Sequence, residues 1–173
     1  MKDHLDYRPF APAIPPRRAR ALPWATVMLG SALTVTPFVA TLSLFPPLGL
    51  LMLLTWRLLA RFALRPWAAA PLGLFDDLVS GQPLGSAVLL WSVCFLVIDL
   101  IEQRLNDRGF LQDWLIAAGL VGGALVAGRL IAAPLDAPLG PLLGLQIAIG
   151  ALLFPFAARI VAWVDRHRNQ GRI

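Results

Sequence analysis

Positive charge in this 173-residue chain falls in a few short stretches separated by long apolar runs. Of the 15 Lys and Arg residues, all but Arg129 lie in the N-terminal arm, between Arg57 and Arg65, between Arg104 and Arg108, or from Arg159 onward. Every second connection between the apolar runs carries no basic residue. Basic residues confined to alternate connections are the positive-inside pattern of a polytopic membrane protein, and here they predict both termini in the cytoplasm. Composition agrees: 58% hydrophobic residues and a mean hydropathy of +0.70 leave too little polar surface for a water-soluble globule. The net charge of +5 then marks a face attracted to anionic headgroups. It does not point to nucleic acid, because no basic stripe interleaves with aromatic residues.

A helix needs roughly 20 apolar residues to cross the hydrocarbon core. The chain divides into a basic, Pro-rich cytoplasmic arm (1–22, expected to be disordered), an all-α transmembrane domain of six helices (23–164) and a basic cytoplasmic tail (165–173). The predicted spans run from Trp24 to Phe45, from Pro46 to Leu64, from Trp67 to Ser80, from Leu84 to Ile101, from Leu111 to Ala133 and from Gly140 to Trp163. The third is short and holds Pro71 and Gly73, but if it did not cross, Arg104, Arg108 and the C-terminal arginines would move outside. The arm is long and rich in proline and several apolar runs follow it, so the first run reads as a retained span rather than a signal peptide.

The residues that carry chemistry are few. Cys94 is the only cysteine, which excludes an intrachain disulfide, and His4 and His167 sit in the polar tails without companion metal ligands. No cofactor is implied. Asp76 and Asp77 lie near the outer end of the third span and point about 100° apart on a helix, so they cannot share one partner. They read either as an N-cap or hydrated helix end, or as an inward polar anchor of the bundle. Arg129 lies at a matching depth on the fifth span, which makes it a candidate partner for either aspartate; its alternative is snorkelling to the outer headgroups. Arg57, Arg61 and Arg65 recur at every fourth residue and would share one helix face, for headgroup contact or for a cytoplasmic partner. Gly119, Gly123 and Ala127, with Gly140, Gly144 and Ala148, are small residues at the spacing that lets helices approach closely. No nucleophile elbow, phosphate loop or metal cluster is present, so no catalytic residue is assigned.

Some of these residues also carry a resemblance. Asp77-Leu78-Val79-Ser80-Gly81 precedes Leu84-Gly85 and the next span, and the last span holds Phe154-Pro155 before a basic tail. In this motif, and in its layout of a basic arm and six compact spans, the chain resembles the MreD family of rod shape-determining membrane proteins. The resemblance assigns the family's acidic position to Asp77, with Gly81, Gly85 and Pro155 in register, while the extra Asp76 is a departure. It implies a non-enzymatic scaffold in the bacterial inner membrane that serves lateral peptidoglycan synthesis with MreC. The same complex contains MreB, RodZ, RodA and a class B penicillin-binding transpeptidase. The family's bundle is also similar to the substrate-binding subunits of energy-coupling-factor vitamin transporters, which supplies the alternative function.

Overall fold

A computed structural model describes residues 17–35, 46–61, 63–104, 109–132 and 141–170. They form six α-helices: α1 (Arg17–Thr34), α2 (Leu48–Leu59), α3 (Ala69–Ser80), α4 (Ser86–Arg104), α5 (Phe110–Ala132) and α6 (Pro141–Gln170). A single 3-10 turn, Pro66–Ala68, leads into α3. α4, α5 and α6 are long and apolar enough to cross a membrane, whereas α1 and α2 contribute shorter apolar helices. We call the end where α1, α3 and α5 begin the arginine end, and the opposite one the far end.

Several boundaries differ from those expected. The first helix starts at Arg17, so Arg17, Arg18 and Arg20 belong to its first turns rather than to an irregular arm. The last helix runs on to Gln170 through most of the expected tail. α2 stops at Leu59, short of Leu64, where Ala60 leaves the helical region (φ −130°, ψ 73°). The second half of the first predicted span and the loop at 134–138 lie outside the described residues.

α2 is apolar on every side, and a helix of that kind belongs in the interior. Leu50, Leu53, Leu54 and Trp56 are almost wholly buried, and α2 packs against α1, α4, α5 and α6. Trp56 also donates its indole N–H to Thr26 Oγ1 on α1 at 2.8 Å. α3 lies outside this centre, pairs closely with α4, and exposes Leu74 and Leu78.

Glycine sets the closest approaches, though not at all the positions that the small-residue spacing indicated. A Cβ on Gly73 of α3 would lie 2.8 Å from Val88 Cα and N, so the α3–α4 pair depends on its absence. Between α5 and α6 the contact is made at Gly122, against Ile147, and at Gly150, 3.0 Å from Val121 Cγ1. Gly119, Gly123 and Gly144 face open space, and Gly140 lies outside the described residues. The helices meet one register away from the repeat that the spacing picked out.

These contacts separate the glycines by consequence. Gly73→Ala is expected to lower the thermal unfolding midpoint of the detergent-solubilised protein, because overpacking against backbone destabilises by about 1–3 kcal/mol. Gly119→Ala should leave the midpoint unchanged or raise it slightly.

Candidate functional site

The acidic motif is a helix-to-helix joint. α3 ends at Gly81, whose left-handed conformation (φ 68°) turns the chain while its N–H still reaches the Asp77 carbonyl at 3.1 Å. The chain then turns at Gly85, which has φ 97° and whose carbonyl accepts the first bond of α4 from Leu89 N–H. Gly85 therefore stands at the N-cap of α4 with no side chain to cap it. Asp77 supplies the missing acceptor from the preceding helix. Its Oδ2 accepts from Gly85 N–H at 2.8 Å, and its Oδ1 accepts from Ser86 Oγ and from Ala87 N–H, both at 2.9 Å. The Ser86 N–H goes to the Pro83 carbonyl at 3.1 Å. The unpaired donors of a helix start are thus met locally, and a carboxylate sits where the helix dipole favours one. Asp77 is 1% exposed, so water plays no part.

Asp76 does something else. It is half-buried, lies close to Ser31 of α1, and lines a cavity of about 330 Å³ at the far end. Each helix contributes to its wall, through Thr34, Leu50, Asp76, Trp91, Arg129 and Gln146, with Gln82 from the α3–α4 turn. Arg129 is exposed and shares this recess with Asp76. The two lie on one cavity as depth matching suggested, yet among the described residues no ion pair joins Arg129 to either aspartate. The recess places an anion, a cation and the Gln82 amide against apolar walls, a set suited to a polar or zwitterionic guest.

The expected arginine face does not form. Because α2 ends at Leu59, Arg61 and Arg65 lie beyond it, both exposed. Arg57 is instead buried at the arginine end, 6% exposed. Its guanidinium donates to Asp99 Oδ1 and to both Glu102 oxygens, at 3.3 and 2.8 Å for the latter, and lies 5.9 Å from the Phe95 ring centre. Arg61 Nε adds a 3.4 Å contact to Glu102. Two cations and two anions form a neutral cluster that ties α2 to α4. Asp99 and Glu102 escaped the sequence reading because they look like ordinary charges at the end of a span. Their one signal is a three-residue spacing that puts both on one face of α4.

Pro155 interrupts the hydrogen-bond ladder of α6, since it has no N–H for the Ala151 carbonyl. Trp114 of α5 repairs the gap: its indole N–H donates to Ala151 O at 2.7 Å.

Compared with known proteins, residues 21–164 match the family model described as rod shape-determining protein MreD. No curated protein and no solved structure matches the chain.

Substitutions at each joint test it. Asp77→Ala leaves buried donors of α4 unpaired and is expected to destabilise by about 1–3 kcal/mol, read as reduced folded yield in detergent. Asp76→Ala should cost far less, and equal yields from the two would reject the capping role. Trp114→Phe keeps the ring but strands the Ala151 carbonyl. Its midpoint should fall, and a further Pro155→Ala change, which restores an N–H donor, should recover part of the loss.

Proposed function

The chain belongs to the family of rod shape-determining protein MreD, a non-enzymatic cell-shape membrane protein family, and we propose that it is an inner-membrane scaffold for lateral peptidoglycan synthesis. In this reading both termini are cytoplasmic, the arginine end faces the cytoplasm and the recess faces outward. MreC is its direct partner, within a complex that includes MreB, RodZ, RodA and a class B penicillin-binding transpeptidase.

The observation that carries the reading is the far-end recess. Polar groups held within a membrane domain are costly unless something engages them. Here Asp76, Gln82 and Arg129 converge on one cavity to which all six helices contribute. Among the described residues the two buried charges are already matched, Asp77 by its cap and Arg57 by two carboxylates. The recess is therefore where a polar segment of MreC finds partners. A cavity of about 330 Å³ also favours the second reading, a small ligand bound as in a vitamin-transporter subunit.

Depletion followed by microscopy separates the two. The scaffold reading expects rods to round up, whereas retained rod growth with lost vitamin uptake would favour the transporter. The recess itself is tested with Arg129→Leu. Interhelical polar contacts in bilayers contribute about 0.6–1.7 kcal/mol, so MreC affinity measured on the co-purified complex should fall roughly three- to eighteenfold. Unchanged affinity would remove the recess from the MreC interface.

A further inference from the structure

We infer that the face formed by α3 and α4 fits a bilayer thinner than the surrounding membrane, so that the protein draws the lipid surface inward along this one side. The inference rests on the membrane-spanning reading proposed above. Exposed Trp67 in the 3-10 turn and Pro71, Leu74 and Leu78 on α3 form one stripe. From the first to the last it is about 17 Å long at 1.5 Å per residue. The whole element, from Pro66 at the start of the 3-10 turn to Ser80, measures about 24 Å. Exposed Arg65 and Gln82 bound it at either end. A typical hydrocarbon core is about 30 Å thick, and any tilt of α3 makes its reach shorter still.

Two further observations agree. On α4 the exposed stripe Leu89, Val93, Leu96 and Leu100 is also about 17 Å long. Beside its last member sits Asp99, whose side chain is 29% exposed while it pairs with Arg57. A partly open carboxylate five residues inside the end of α4 needs headgroups or water at that level. At the arginine end of α3, Trp67 is 60% exposed and packs on Trp24, with ring centres 5.6 Å apart. A tryptophan so placed next to Arg65 is the anchor that settles at the headgroup boundary, which identifies lipid as the occupant of this face. On α5, which packs beside α4, exposed apolar residues extend from Leu111 to Leu130, about 29 Å. The protein thus carries a low belt and a high belt, and a bilayer meeting the low one thins.

The test uses the full chain in a Cys94→Ala background, with nitroxide labels on cysteines at Leu89 and Leu100, in dioleoyl and dierucoyl phosphatidylcholine vesicles. Oxygen and nickel-chelate accessibility gives the depth of each label below its nearer headgroup surface. The two depths sum to the local core thickness minus the fixed separation of about 17 Å. A thinned face should give a sum of about 7 Å or less, retained in the longer lipid; an undisturbed core gives about 13 Å, increasing with lipid length, and would overturn the inference. If labelling α4 prevents reconstitution, Trp67 and Leu78 on α3 provide a pair of the same separation. Labels at Leu111 and Leu130 check the premise separately. An impermeant reductant outside sealed, uniformly oriented vesicles should reach only one of them. Equal reduction of both would overturn the spanning reading, and the inference with it.

Discussion

Lipid offers no hydrogen bond to a broken helix, so each interruption within an apolar bundle has to be repaired from inside the protein. Two such interruptions organise this fold. Gly85 opens α4 with a positive φ and no capping side chain, and Pro155 leaves a carbonyl of α6 without its donor. Each repair comes from a different helix, Asp77 of α3 in the first case and Trp114 of α5 in the second. A repair that crosses between helices is also a cross-link. The requirement to pair backbone groups therefore fixes α3 on α4 and α5 on α6, the two neighbouring pairs that flank the bundle centre.

The centre follows a different rule. α2 is only 12 residues long and is covered on nearly all sides, so its single charge is buried at the bundle centre. Arg57 is held by Asp99 and Glu102, and Arg61 brings the cluster to neutrality. An arginine suits this position because its planar fork reaches two carboxylates at once. Taking away one partner would leave a buried charge, which costs more than the lost contact. With the Trp56–Thr26 hydrogen bond to α1, this cluster supplies polar specificity on a helix whose surface is otherwise mostly apolar.

Much of this was legible in the chain, and the failures have physical reasons. The apolar runs announced an all-α membrane bundle, and the resemblance, through the carboxylate followed by Gly81 and Gly85, singled out Asp77. Its partners stayed hidden, because a cap on the next helix depends on the turn between them and matching depth pointed instead to Arg129. The four-residue spacing of Arg57, Arg61 and Arg65 holds only while the helix continues, and α2 ends at Leu59. Small residues repeat on more than one face of α5, so spacing alone did not distinguish Gly119 and Gly123 from Gly122. Packing against Ile147 made that choice. Trp114 had no signal of its own, although a proline within a predicted span always leaves a carbonyl in need of a donor.

The polar groups fall into two kinds, and the difference bears on how a protein without catalysis acts. Asp77 accepts three hydrogen bonds and Arg57 is met by two carboxylates, so these groups are committed to holding the bundle together. Asp76 and Arg129 share a recess without an ion pair between them. A committed group can stabilise its own fold but has little left to offer another molecule. Opposite charges not joined to each other keep interaction energy available for a guest. The joints and the neutral cluster keep those charges apart, because each wall of the recess belongs to a helix anchored elsewhere. On the proposed reading, rigidity at the arginine end is what holds the recess open for a partner at the far end.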